Sequence, residues 1–216
     1  MKLKAQSITK KINNKIILDN ISLTFYSGKI YGIWGRNGSG KTMLFRALSG
    51  LMGIDSGEIL LDGKLLKKDF DVLPNLGITL EHAQLYPGMT GIENLRYLAS
   101  INNKIDNDII AETIKRVGLN PNDKRTYNKY SLGMKQRLAI AQAIMESPDI
   151  IMLDEPTNGI DENGLVVIRN IILEEKKRGA LILLASHNKD DISLLSDEVI
   201  ELANGRVIAG DNNEKD

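Results

Sequence analysis

Gly35-Arg36-Asn37-Gly38-Ser39-Gly40-Lys41-Thr42 is the stretch on which the fold turns. It fills the phosphate-binding pattern G-x-x-x-x-G-K-[ST] at every position. Glycines let successive backbone N–H groups turn inward around an anion, and a helix opening at Lys41 aims its positive end at the same point. The lysine can neutralise terminal phosphates, and the threonine hydroxyl is a hard ligand for Mg2+. A glycine turn with a chance lysine would lack the flanking context found here. Ile30–Trp34 is a short apolar run of strand type, and Met43, Leu44, Ala47, Leu48 and Leu51 are spaced as one face of a helix from Lys41 to Leu51. The expected nucleotide contacts are Gly35, Asn37, Gly38, Ser39, Gly40, Lys41, Thr42 and Met43.

Further along, Ile150-Ile151-Met152-Leu153 is a buried-strand run that ends in Asp154-Glu155. A strand ending beside the phosphate loop would bring Asp154 near Mg2+, while Glu155 could act as general base on the attacking water. Adjacent strand residues face opposite ways, so this needs the chain to turn at the strand end. The plainer alternative is two carboxylates opening a turn before Pro156. Together the two motifs define a P-loop NTPase.

The remaining pattern is α/β. Strand-like runs at Ile16–Phe25, Glu58–Leu61, Leu76–Leu80, Ala180–Ala185, Glu198–Leu202 and Arg206–Ala209 alternate with helical ones near Asn163–Lys177 and Asp190–Leu195. Such alternation predicts a mainly parallel sheet. From about Thr90 to Met145 only helical spacing is found, in three segments, which reads as an inserted lobe.

Composition narrows the classes. Lys plus Arg and Asp plus Glu both number 28, so no basic excess favours a nucleic-acid partner. Cysteine is absent, which removes disulfides, thiolate metal sites and a Cys nucleophile and fits a reducing cytoplasm. No apolar run follows the lysines of Met1-Lys-Leu-Lys, as a signal peptide would need, and the apolar stretches fall far short of the roughly 20 residues that span a bilayer. The expected location is cytoplasmic.

Between the two phosphate motifs lies Tyr130-Ser131-Leu132-Gly133-Met134-Lys135-Gln136-Arg137, opening an apolar-periodic helix. Here the chain resembles the ATP-binding-cassette (ABC) family, whose signature has the form L-S-G-G-Q. Pro156-Thr-Asn-Gly-Ile-Asp161 is similar to the family's D-loop, and Ser186-His187 to its switch histidine. The resemblance covers essentially the whole chain, from about Leu3 to Ala209. It implies a RecA-like core with an N-terminal antiparallel portion, a single domain over 1–216, a helical lobe at approximately 84–147 and a polar tail at 211–216.

The same resemblance implies ATP as ligand and two domains packed head to tail, each ATP held between one P-loop and the other copy's Ser131 and Gly133. It implies that Glu155 and His187 are catalytic and that Asp161 touches the partner's P-loop, although capping of the next helix would also place an aspartate there. Separate membrane-spanning subunits would be the other partners, with the chain peripheral on the inner face of the membrane.

Three departures refine the expectation. Leu132 and Met134 replace a glycine and a glutamine of the signature, as in cassettes similar to those of drug and antimicrobial-peptide export. Glu81, in Leu76-Gly-Ile-Thr-Leu-Glu81, stands where most cassettes carry the Q-loop glutamine and is an expected Mg2+ ligand beside Thr42 and Asp154. That glutamate is similar to the one in bacitracin-resistance and lantibiotic-immunity exporters. Ile12 falls near the position of an adenine-stacking aromatic ring, which implies modest adenine selectivity. An exporter ATPase for antimicrobial peptide or drug is the leading reading. Lipid, polysaccharide or other cargo, and a soluble non-transport ATPase, stay as alternatives.

Overall fold

The computed structural model describes residues 1–80 and 85–209. The chain opens with a hairpin of β1 (Lys2–Ile12) and β2 (Lys15–Tyr26), followed by β3 (Ile30–Trp34), α1 (Lys41–Ser49), β4 (Ser56–Leu61), β5 (Lys64–Leu65) and β6 (Leu76–Thr79). Three helices come next, α2 (Gly91–Asn102), α3 (Asn107–Arg116) and α4 (Leu132–Ile144). The chain then alternates through β7 (Ile150–Asp154), α5 (Glu162–Lys177), β8 (Leu181–Ser186), α6 (Lys189–Leu195), β9 (Glu198–Ala203) and β10 (Arg206–Ala209).

Two sheets form. One is antiparallel, in the order β2-β1-β4-β5; the other runs β10-β9-β3-β8-β7-β6, parallel except for β10. The central strands read as unbroken apolar runs because both of their faces are buried. In β8, Leu181, Leu183 and Ala185 join the core around α1 and the antiparallel sheet, while Ile182 and Leu184 join the core under α3, α4 and α5. Ile150 and Met152 against Ile151 and Leu153 divide in the same way in β7.

The sequence reading leaves β1 unassigned, and the structure shows why. Leu3 and Ala5 alternate inward, then Ser7 adopts φ +48° and the register shifts before Ile8, which breaks the period of two. A second difference concerns α1, which stops at Ser49 rather than reaching Leu51. Gly50 is left-handed at φ +86°, a Cβ there would sit 2.6 Å from the Asp71 carbonyl, and Leu51 is left 56% exposed.

Helix starts follow their local chemistry. Thr90 and Glu93 form a reciprocal capping box on α2, Asp106 caps α3, and the Ser131 hydroxyl accepts from Met134 N at the start of α4. The helical region is fastened to the core by Arg116 of α3, which bridges Glu174 and the buried Glu175 of α5.

Candidate active site

β3 lies between β8 and β9 in the middle of the parallel sheet and delivers the chain to Gly35 at the sheet's carboxyl edge. The loop must turn tightly: Gly40, directly before α1, sits at φ +110°, which side-chain-bearing residues rarely adopt, and a Cβ on Gly35 would lie 2.3 Å from the Leu202 carbonyl. No side chain caps α1, so its first N–H groups stay available to an anion. Asn37, Gly38, Ser39, Gly40, Lys41, Thr42 and Met43 line one cavity of about 510 Å3, together with Ile17, Arg46, Asp154 and Glu155. The Ser39 hydroxyl is buried on this loop with no partner among the described residues, an observation that fits a phosphate-binding site.

Two pairs converge there. Thr42 Oγ1 donates to Asp154 Oδ2 at 2.5 Å. Lys41, 6% exposed, donates from Nζ to the Gly35 carbonyl at 2.7 Å and lies 3.4 Å from Glu155 Oε1. The strand-end turn that the sequence required is present: β7 stops at Asp154, and Glu155 takes the left-handed conformation at φ +51°. For a non-glycine residue this costs roughly 1–2 kcal/mol, and it puts both carboxylates on the same cavity. The Glu155 N–H donates to the Ala185 carbonyl at 2.8 Å.

The Glu155 carboxylate is held from β8 and the residue after it. Its Oε1 accepts from the His187 N–H at 3.0 Å, while Oε2 lies 2.9 Å from His187 Nδ1 and accepts from Ser186 Oγ at 3.2 Å. His187 is half exposed and stays open to a ligand.

Ser131 and Gly133 lie elsewhere. Ser131 is exposed at the tip of α4, away from the P-loop cavity of its own chain. Gly133 is buried, and a Cβ there would come within 2.7 Å of the Gly159 carbonyl. Asp161 occupies the N-cap position of α5 and is exposed, yet its side chain makes no cap hydrogen bond, so the capping explanation for this aspartate is corrected. Glu81 lies outside the described residues.

Some participants carried no readable signal. Ile17, not Ile12, lines the cavity, because Ile12 ends β1 at the Asn13-Asn14 turn and is 40% exposed there. Gln136 donates from Nε2 to the Glu155 carbonyl at 3.1 Å. Its place within the signature stretch was visible, but its target was not.

Thr42 and Asp154 supply hard oxygen donors of the kind Mg2+ takes. Among the described residues no group of three or more His, Cys, Asp or Glu could hold a metal, so a Mg2+ ion here would need donors beyond Thr42 and Asp154. No helix among the described residues is long and apolar enough to cross a membrane.

A P-loop with its lysine and threonine facing two strand-end carboxylates defines a P-loop NTPase. Within that class the chain belongs to the ABC transporter family, whose model matches residues 18–158, and it is an ATP-binding subunit with the ATPase activity of that family. Among its relatives, the uncharacterized ABC transporter ATP-binding protein YybJ of Bacillus subtilis strain 168 is 49% identical, over 93% of this chain and 92% of that one. The lantibiotic transport ATP-binding protein SrtF of Streptococcus pyogenes is 33% identical over 95% and 89%. The bacitracin transport ATP-binding protein BcrA of Bacillus licheniformis is 36% identical over 95% and 68%. The fold is shared with the solved ATP-binding subunit of an ABC transporter, at TM-score 0.87, 24% identity and 98% and 90% coverage. It is shared too with the dimeric MJ0796 cassette, at TM-score 0.83, 22% identity and 97% and 98% coverage.

Proposed function

We propose that this chain binds and hydrolyses ATP with Mg2+ in a head-to-tail dimer of cassettes, driving export of an antimicrobial peptide, drug or similar amphipathic cargo through membrane subunits on separate chains. The observation that carries the reading is the convergence of Lys41, Thr42, Asp154 and Glu155 on one glycine-lined cavity, with His187 held against the Glu155 carboxylate. The similarity to SrtF, a lantibiotic transport protein, and BcrA, a bacitracin transport protein, supports the cargo class.

In this reading Lys41 leaves Glu155 and the Gly35 carbonyl and turns to the terminal phosphates. Thr42, Asp154 and Glu81 would hold Mg2+, which would neutralise charge on the phosphate oxygens. Glu155 accepts a proton from the attacking water, and His187 fixes the carboxylate while reaching the γ-phosphate. Ser131 and the Gly133 N–H, on a helix tip that does not line their own P-loop cavity, serve the partner's nucleotide, and Asp161 meets the partner's P-loop. The chain acts as one cassette over 1–216, with the helical lobe at approximately 84–147, and sits on the inner face of the membrane. Exposed Val72 and Ile101, which line a groove of about 420 Å3, supply apolar surface for the membrane subunits.

Glu155→Gln tests the reading. The variant is expected to bind ATP, accumulate as a dimer on gel filtration and lose turnover. Retained turnover would show that the base is a different group.

A further inference from the structure

We infer that Gln136 is a positioning residue, which ties the signature helix to the backbone of the catalytic glutamate so that one nucleotide site senses the other. The inference rests on the dimeric reading above.

Glu155 is held in a left-handed conformation by bonds from three directions. Its N–H goes to β8, through the Ala185 carbonyl, and its own carbonyl accepts from Asn158 N at 3.2 Å and from Gln136 Nε2 at 3.1 Å. The first bond comes from the core sheet, and the second closes the turn that follows Glu155. Gln136 comes from α4, which also lies along the turn that follows Glu155. Gly133 packs so closely on the Gly159 carbonyl that a Cβ would not fit, and a Cβ on Gly159 would meet the Leu132 side chain at 2.5 Å. The first turns of α4 therefore touch segment 155–160 at two separate places, Gln136 on Glu155 and Gly133 on Gly159.

Leu138, Ile140, Ala141 and Ile144 anchor the same helix in the core, so α4 tilts as a rigid rod rather than bending at its tip. Ser131 and Gly133, at that tip, are the groups assigned to the partner's γ-phosphate. Gln136 lies a turn and a half further along, on the near side of the anchored part. Binding at the tip shifts the Gln136 amide, and a strained residue bonded on every side has little slack to absorb the shift. The Glu155 carboxylate, which pairs with Lys41 in this structure, is thus reoriented by the state of the other copy's nucleotide. The amide acts through Glu155 and touches no phosphate itself.

Gln136→Met keeps the length of the side chain and removes the donor; Gln136→Ala removes both. In the full-length chain, steady-state ATP hydrolysis gives kcat, KM and the Hill coefficient, and ATP affinity is measured separately in a Glu155→Gln background. For both variants kcat is expected to fall by about tenfold to a hundredfold, the scale of a misplaced catalytic group. ATP affinity should stay within about twofold of its control and the Hill coefficient should fall from about two toward one. A residue that merely supports the fold would lower the thermal midpoint without that split. Unchanged kcat and Hill coefficient, or a kcat loss matched by an equal loss of ATP affinity, overturns the assignment. If Gln136→Met does not fold, the Ala variant carries the same measurements. A wild-type chain with neither turnover nor ATP-driven dimer would sink the dimeric reading instead, before any Gln136 variant is compared.

Discussion

The Lys41 ammonium and the Glu155 carboxylate lie 3.4 Å apart with both side chains under a tenth exposed, so the cation meant for phosphate is matched by the protein's own anion. Such a pair satisfies two buried charges at once and must separate when a phosphate enters.

Lys41→Ala should therefore act twice. ATP affinity is expected to fall by roughly 100-fold, as charge-assisted bonds to phosphate disappear. The protein without nucleotide should also lose about 1–3 kcal/mol, since Glu155 keeps only His187 and Ser186. Titration calorimetry and denaturant unfolding check the two parts, and unchanged affinity would remove Lys41 from the site.

The Thr42–Asp154 pair predicts a metal-specific defect. Asp154→Asn should weaken the Mg2+ dependence of ATP binding by about 10- to 100-fold while leaving binding in EDTA nearly unchanged. Equal losses with and without Mg2+ would argue for a structural role.

Glu81→Gln exchanges a charged ligand for the amide that most cassettes carry. ATP binding is expected to persist, and hydrolysis or its coupling to the membrane subunits to change. Identical hydrolysis and transport in the reconstituted complex would leave Glu81 without a part.

Asp197 gives a pH dependence. Burial pushes its carboxyl up, but the Ile30 N–H and the Lys176 ammonium outweigh that and hold it below the usual carboxylate range. Because the folded value is depressed, its contribution is complete above the unfolded value near pH 4 and fades as pH falls through the folded value. Asp197→Asn should cost about 1 kcal/mol at pH 7, and the gap to wild type should narrow as pH falls below the ordinary carboxylate range. Urea unfolding at neutral and at acid pH decides it. The bond matters to the site because Ile30 starts the strand that carries Gly35.

Much was legible in the sequence wherever a short run carries its own physical signature. Gly35–Thr42 needs left-handed backbone and a helix start, and only that residue pattern supplies both. The apolar runs of β7 and β8 announce strands buried on both faces, and Ser131 marks a helix start by its hydroxyl. By contrast, the φ +51° turn at Glu155 has no glycine to announce it, and the bulge at Ser7 hid β1 by interrupting its alternation. Tertiary structure alone decided that Lys41 pairs with Glu155, that Ile17 rather than Ile12 walls the cavity, and that Gln136 reaches the Glu155 carbonyl. The reason is range: propensity and capping act over a few neighbouring residues, whereas these contacts depend on how separate strands and helices come to rest against one another.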